Sequence, residues 1–238
     1  MENSWEIIKR AKKEMQRMLS SIYMYNSNFI LKGEEKELLD RVLFSMSVID
    51  RKYFYHGEMV YIDNALPIGE GQTISQPSTV ARMLFLLNLK QGDNVLEIGT
   101  GSGWNASLLS FLAYPGRVIS IDRFESLVKN AEKNLSGLRN YLKQKKPNAY
   151  EKLEKINFFA ESIFDRKKAW KRKYDRIIIT AGIKQGDEEK IGWIAKGLLK
   201  QNGRLICPYI SGPIIIYEKK GGLKKSKTKE EYVFVPLI

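Results

Sequence analysis

The sequence predicts an α/β fold: a mainly parallel sheet with helices on both faces, an antiparallel edge and an N-terminal helical elaboration. Three observations carry this expectation. From Gln91 onward, short apolar runs alternate with longer helical patterns, and such a βαβα succession specifies a parallel sheet. Ile214 to Tyr217 and Tyr232 to Val235 are two late strand-like runs separated by a lysine-rich, hairpin-like segment, which puts an antiparallel edge at the end of the chain. Before residue 50 the apolar residues fall in stripes at helical spacing.

Taken in order, Trp5, Ile8, Met15, Met18, Leu19 and Ile22 recur on one face of a first helix, with Lys and Arg between them. Gly33 marks a break before a second helix, in which Leu38, Leu39, Val42, Leu43, Met46 and Ile49 follow the i, i+3, i+4 rule. The methionines of these stripes read as core filling. Tyr53 to Asp63 is aromatic and irregular, and it leads into a loop rich in turn residues, Pro67, Gly69, Gly71 and Gln72. Pro77 suits a first helical turn, and Val80, Met83, Leu84 and Leu87 continue an apolar face behind it. Asn94 to Ile98 reads as a buried strand, Trp104 to Ala113 as a helix and Arg117 to Ile121 as the next strand. Phe124 to Leu142 is helical through Leu127, Val128, Ala131, Leu135 and Leu138, and Pro147 and Asn148 break it. Lys155 to Phe159, Arg176 to Thr180 and Arg204 to Pro208 are further strands, the last two around a helix centred on residues 191–199. The expectation is one domain over residues 1–238, with a helical elaboration in 1–60, a loop and helix in 61–90, and the core and late strands in 91–238.

With 238 residues, 43% of them hydrophobic and 11% aromatic, the chain is long enough to bury one sizeable core. No stretch approaches the roughly 18 uninterrupted apolar residues of a membrane span, and Met1 is followed by Glu2, Ser4 and Glu6, so the chain reads as cytoplasmic and without a membrane partner. Cys207 is the only cysteine, which excludes an intramolecular disulfide and a cysteine cluster; no metal site is expected. The net charge of +13 raises nucleic-acid binding. Its densest stretches, Lys143 to Lys146, Arg166 to Lys173 and Lys219 to Lys229, hold few aromatics beyond Trp170 and Tyr217, so they read as a solvated surface with at most nonspecific affinity for nucleic acid.

The most informative segment is Val95-Leu96-Glu97-Ile98-Gly99-Thr100-Gly101-Ser102-Gly103-Trp104. A buried strand feeds a loop with glycine at every second position, so bare backbone can approach a ligand before the next helix starts; this order makes the fold Rossmann-like. A dinucleotide site would show G-x-G-x-x-G, whereas here the spacing is G-x-G-x-G behind the acid Glu97. An acid there favours a ligand with an ammonium group, such as the methionine part of S-adenosylmethionine, with Glu97, Gly99, Thr100, Gly101 and Gly103 in the cofactor site. Asp122 ends the next strand about 20 residues on, the separation expected for an acid on ribose hydroxyls, while a helix cap is its commoner use. Glu161, after the third strand, stands where a side chain reaches an adenine edge or simply faces water. No Asn-Pro-Pro-Tyr or Asp-Pro-Pro-Tyr run is present, which counts against amino-directed nucleic-acid methyltransferases.

Ala65-Leu66-Pro67-Ile68-Gly69-Glu70-Gly71-Gln72-Thr73-Ile74-Ser75-Gln76-Pro77 resembles the signature loop of the protein-L-isoaspartate O-methyltransferases. The resemblance extends through Arg51, Phe54, Tyr61 and Asp63, the glycine loop, Thr180-Ala181 and the terminal Val233-Phe234-Val235-Pro236-Leu237, roughly residues 35 to 238 with interruptions. It implies an S-adenosylmethionine-dependent methyltransferase fold whose acceptor is the α-carboxylate of an L-isoaspartyl residue in a damaged protein or peptide. Thr73, Ile74 and Ser75 would then bind the acceptor, with Ser75 as the catalytic-site residue that holds its carboxylate. Taken without the loop around it, Ser75 would read as a helix N-cap. Departures from the family pattern are Tyr55-His56 after Phe54, Gly182 to Gly186 after Thr180-Ala181, Glu161-Ser162 in place of Asp-Gly, and an N-terminal 30 or so residues without a match. The lone His56 reads as a packed or surface residue. Other readings left open are an RNA methyltransferase, a dedicated aspartyl methyltransferase for one peptide precursor, and a methyltransferase-like binding protein; the oligomeric state is open too.

Overall fold

The protein is described here from a computed structural model that covers residues 2–29, 33–165 and 171–238. The N-terminal stripe forms two helices instead of one. In α1 (Ser4–Arg10) the Asn3 side chain accepts from the Trp5 and Glu6 backbone N–H groups while the Glu6 side chain returns to the Asn3 N–H, a reciprocal cap that fixes its start. Ala11 is extended and ends it, and α2 (Lys13–Ser27) begins after Lys12. This break lets Ile7, Ile8, Met15, Met18, Leu19 and Ile22 bury together but leaves Trp5 54% exposed, contrary to its place in the expected stripe. α3 (Glu34–Val48) starts with Glu34, Glu35 and Glu37 near its positive end and buries Leu39, Val42, Leu43 and Met46. A 3₁₀ turn at Arg51–Tyr53 follows.

The turn-rich loop is an antiparallel hairpin, β1 (Leu66–Gly69) and β2 (Gln72–Ile74), whose tip takes positive φ at Gly69, Glu70 and Gly71. Next comes α4 (Pro77–Leu87), with proline in its first turn. β3 (Val95–Ile98), α5 (Trp104–Ala113), β4 (Val118–Asp122), α6 (Glu125–Lys145), α7 (Pro147–Glu151), β5 (Ile156–Ala160), β6 (Tyr174–Ile179), α8 (Glu188–Leu198) and β7 (Leu199–Pro208) complete the expected alternation. Residues 166–170, including part of one basic stretch and Trp170, lie outside the described residues.

The antiparallel edge is present but is built differently from the expectation. β9 (Ile214–Lys219) pairs with β7, and the lysine-rich segment itself is the outer strand β10 (Leu223–Lys227). β11 (Tyr232–Val233) instead pairs with β8 (Ser211–Gly212) in a separate two-stranded ribbon. Lysines on the exposed strand β10 disfavour pairing with a second sheet edge.

The main sheet has the order β10-β9-β7-β6-β3-β4-β5, parallel from β7 to β5. Chain direction across the sheet reverses between β3 and β6, which opens a crevice beyond their C-terminal ends. Alternating residues divide the core. Val95, Val118, Ile178, Ile206 and Ile214 pack with α1 to α5, while Leu96, Ile98, Ile177, Ile179 and Leu205 pack with α8.

Candidate active site

The glycine loop leaves β3 at this crevice. Gly99 has φ +100°, and a Cβ there would stand 2.2 Å from Thr180 Oγ1 on the adjoining strand end, so a side chain has no room. Thr180 Oγ1 donates to the Gly99 carbonyl at 2.7 Å, fastening the loop to the end of β6. At the loop's far end Gly103, also at positive φ, brings the start of α5 against Ala131 of α6. Asp122 fastens the middle: one carboxylate oxygen accepts from the Gly101 N–H at 3.0 Å and the other from the Phe124 N–H at 3.1 Å.

Opposite the loop, the segment Thr73-Ile74-Ser75 is held from behind by Arg51. This guanidinium is fully buried and donates to the carbonyls of Val60 (2.7 Å), Ile62 (3.2 Å), Asn64 (3.1 Å), Ile74 (3.5 Å) and Ser75 (3.1 Å). Its carbon lies 5.4 Å from the Trp104 ring, and Trp104 in turn donates to the Ile49 carbonyl at 2.9 Å. Burial pulls the Arg51 pKa down to about 10, which leaves it charged at neutral pH. Asp63 accepts from the Ser78 N–H at 2.8 Å and from the Gln76 side chain at 3.2 Å, setting the entry to α4. The N-cap of α4 is Gln76, whose own side chain makes no capping bond; Asp63 caps the first turn from outside the helix, and Ser75 does not serve as its cap.

Between these walls lies a cleft of about 630 Å³ counting its open mouth, lined by Thr73, Ile74, Ser75, Gly99, Thr100, Gly101, Asp122, Asn105 and the apolar Val80, Met83 and Val235. A second pocket of about 420 Å³ shares Gly99, Asp122, Gln72 and Ala181 with it and adds Glu161, Ile163, Phe124 and Pro236. Together they have the size of a small-molecule site. The C-terminal segment forms part of the wall because the Gly182 N–H donates to the Val235 carbonyl, and the Leu237 N–H to the Gly182 carbonyl, both at 2.7 Å. Glu161 N–H donates to the Asp122 carbonyl at 2.9 Å, which brings the ends of β4 and β5 together.

Two residues named from the sequence stand behind this surface instead of on it. Gly103 packs against α6, and Glu97, fully buried, turns its carboxylate to Asn105 Nδ2 at 2.7 Å and Ser120 Oγ at 2.5 Å. Ser120 Oγ also meets Thr100 Oγ1 at 2.6 Å. Burial pushes the Glu97 carboxyl up to about 8, against the lowering effect of its Ser120 and Asn105 bonds and with the help of the Asp122 charge. Asn105 and the bracing role of Arg51 were not readable in the sequence, although Arg51 belongs to the resembling segment. His56 is on the surface, with Nε2 3.2 Å from Asn134 Oδ1.

The protein-family model for protein-L-isoaspartate(D-aspartate) O-methyltransferase matches residues 26–238. The Pyrococcus abyssi protein-L-isoaspartate O-methyltransferase is 35% identical over 233 residues, covering 94% of this chain and 95% of that one, which takes the similarity into the N-terminal helices. The Vibrio parahaemolyticus protein of the same name is 35% identical over 205 residues, covering 83% and 88%. Among solved structures, a Plasmodium falciparum chain described as a protein-L-isoaspartate O-methyltransferase, in complex with S-adenosyl-L-homocysteine, superposes with a TM-score of 0.68 at 25% identity, covering 92% of this chain and 97% of that one. Together with the cleft between glycine loop and hairpin, these matches establish that the chain belongs to the protein-L-isoaspartate O-methyltransferase family.

Proposed function

We propose that methyl transfer takes place in the cleft between the glycine loop and the Thr73-Ile74-Ser75 segment, with the cofactor on the loop side and the acceptor carboxylate on the hairpin side. The chain is an S-adenosylmethionine-dependent methyltransferase acting on L-isoaspartyl residues of damaged proteins or peptides. The observation that carries the assignment of sides is that Asp122 and Ser75, from the two segments singled out in the sequence, line the same cleft.

The residues present suit the cofactor. Asp122 stands where both pockets meet, and each of its oxygens keeps a lone pair free for a ribose hydroxyl beyond its backbone bond. Glu161 beside Ile163 and Phe124 offers an acceptor within an apolar slot, which fits an adenine edge and face. Gly99, Thr100 and Gly101 bring backbone to the methionine end, with Glu97 acting from behind. When bound, S-adenosylmethionine supplies a methyl group made electrophilic by its sulfonium.

For the acceptor, a carboxylate with a reference pKa near ~4 is ionised at neutral pH, so the chain needs no general base. Its residues hold and desolvate. The Ser75 hydroxyl donates to the acceptor carboxylate, Arg51 fixes the Ser75 backbone from behind, and Val80, Met83 and Val235 keep water out. His56 has no part in this.

The same reading takes the chain as one domain, which the packing of α4 against β6 and β7 and of α1 to α3 over one sheet face supports. Among the described residues no helix is long and apolar enough to cross a membrane, and the one cysteine is buried and unpaired; a cytoplasmic location fits both. Nucleic-acid affinity is at most nonspecific, because Lys224, Lys225 and Lys227 lie on strand β10, outside the cleft. The test is methyl transfer to an isoaspartyl peptide, its aspartyl counterpart and bulk RNA. Transfer to the first alone is expected, whereas saturable methylation of RNA at physiological salt would replace this reading. Asp122→Ala is expected to weaken S-adenosylmethionine binding on the order of tenfold to a hundredfold by calorimetry, from loss of a charged hydrogen bond; unchanged affinity in the folded variant removes Asp122 from the site.

A further inference from the structure

The C-terminal segment is bonded through its backbone to the sheet end of the crevice. Tyr232 and Val233 pair with β8, the Phe234 N–H donates to the Ile210 carbonyl at 2.9 Å, and Val235 and Leu237 both bond to Gly182. Towards α4 the same segment meets a second buried arginine. Arg82, only 7% exposed, stands on that helix next to Met83 and two residues after Val80, and its Nη2 lies 3.4 Å from a Glu230 carboxylate oxygen. The guanidinium carbon is 4.3 Å from the Phe29 ring centre and 5.5 Å from that of Phe85, so aromatic rings flank it. Tyr232, further along the segment, brings its hydroxyl to within 3.5 Å of the Tyr25 hydroxyl on α2. We propose that Arg82 is a positioning residue that sets the width of the acceptor slot: through Glu230 it holds the C-terminal segment at a fixed distance from α4, and so places Val235 against Val80 and Met83.

The inference rests on the acceptor reading above and adds the residue that decides how closely the acceptor is gripped. Val80 and Met83 come from α4 and Val235 from the C-terminal segment, and all three line the cleft with Ser75. The gap between them depends on what ties the two elements together. Backbone bonds fix the segment to Gly182, Ile210 and β8, whereas the Arg82 pair fixes it to α4. A stability role explains Arg82 poorly. Its Nε is buried without a hydrogen-bond partner, and the carboxylate it pairs with is 24% exposed. Burying a charge for such a pair gains little over an apolar filling of the same volume, while a buried pair does fix the register of the elements it joins. The register fixed here is that of a cleft wall. An acceptor held between three apolar side chains is sensitive to the length of its carbon chain, because one methylene in an apolar pocket is worth about 10–200-fold in selectivity. Loosening the clamp widens the slot and erodes that selectivity.

The experiment compares kcat/KM of the full chain for an isoaspartyl peptide and for the same peptide with a γ-linked glutamyl residue, which is one methylene longer. Calorimetry with S-adenosylhomocysteine runs beside it. Arg82→Met fills similar space without the charge, and it is expected to cut the preference for the isoaspartyl peptide on the order of tenfold while S-adenosylhomocysteine affinity holds. Arg82→Lys should restore part of the preference, since a cation opposite Glu230 remains. Glu230→Gln carries the test if Arg82→Met does not fold, and it should erode the same preference in the same direction. A lowered melting temperature with the preference intact makes Arg82 merely structural and overturns the proposal. A matching loss of S-adenosylhomocysteine affinity also overturns it, because the whole cleft would then have been distorted. Val235→Ala separates the clamp from the underlying reading, since it widens the slot directly. If Val235→Ala leaves the preference untouched, the acceptor lies elsewhere and the assignment of sides falls; if Val235→Ala erodes it and Arg82→Met does not, the clamp alone falls.

Discussion

On one side of the cleft, the Gly99 to Gly103 loop is fixed by the strands it leaves: Thr180 ties it to β6, Asp122 ties it to β4, and Gly103 seats the next helix on Ala131. On the other side, the Thr73 to Ser75 segment belongs to a two-stranded hairpin outside the main sheet, and its backbone is held by one side chain, Arg51. The wall proposed for the cofactor is thus a product of the sheet and distributes its support over Thr180, Asp122 and the seat of Gly103. The wall proposed for the acceptor concentrates its side-chain support, among the described residues, in the Arg51 guanidinium. A segment outside the main sheet needs such an anchor to hold a fixed backbone, and arginine fits because its planar fork offers five donors in fixed geometry.

Removing the anchor should give the largest effect. Arg51→Met leaves the part-buried carbonyls of Val60, Ile62, Asn64 and Ser75 and the buried one of Ile74 without this donor, and a fully buried orphan costs about 1–3 kcal/mol, a part-buried one less. Urea unfolding is expected to show a loss of about 3 kcal/mol or more, with kcat/KM for an isoaspartyl peptide down by over a hundredfold on the order of the lost hold. Arg51→Lys should rescue little, since an ammonium cannot span five carbonyls. If Arg51→Met kept both stability and turnover, the hairpin would be self-supporting and the contrast between the walls would vanish.

On the sheet side, Gly99→Ala tests support of another kind. The new Cβ meets Thr180 Oγ1 at 2.2 Å and the residue is forced to keep φ +100°, so two separate penalties add. A loss of about 2–3 kcal/mol is expected, together with weakened cofactor binding. Adding Thr180→Ala removes the clash but not the backbone strain, and a double-mutant cycle should recover part of the loss. Full recovery would mean that the positive φ of Gly99 contributes nothing.

The difference between the walls also explains what could be read in advance. The glycine loop, the acids at positions 97 and 122 and the helices around them are local in sequence, and glycine at alternate positions after a buried strand is a short-range signal. Arg51 contacts carbonyls 23 and 24 residues away, a pairing that no periodicity encodes, and as a residue type it is expected at the surface. The strands β1 and β2 are too short for alternation to register and looked like a loop. β10 carries no strand signal in the sequence, because its five residues are exposed and three of them are lysine, although lysine is what a sheet edge favours. In the N-terminal helices the break at Ala11 and Lys12 has no glycine or proline to announce it; it follows from the cap at Asn3 and the packing beneath. No sequence signal marks Asn105, whose partner Glu97 lies eight residues away and turns behind the loop.

Ser75→Ala should have the smallest effect and separates what the acceptor wall does from how it is held. The residue's carbonyl stays on Arg51, and the first turn of α4 is capped by Asp63 with Gln76 at the N-cap position, so the hydroxyl contributes nothing to either support. The melting temperature is therefore expected to stay unchanged, where a lost N-cap would remove roughly 1 kcal/mol. Cofactor affinity should also hold, because the contacts assigned to the cofactor come from the opposite wall. What remains is one hydrogen bond to the acceptor carboxylate, whose loss lowers kcat/KM on the order of tenfold to a hundredfold. Kinetics measured beside a thermal melt decide the matter. Unchanged turnover would show that the hairpin positions the acceptor through its backbone alone, and the chemical role would pass from the Ser75 side chain to the peptide groups that Arg51 holds in place.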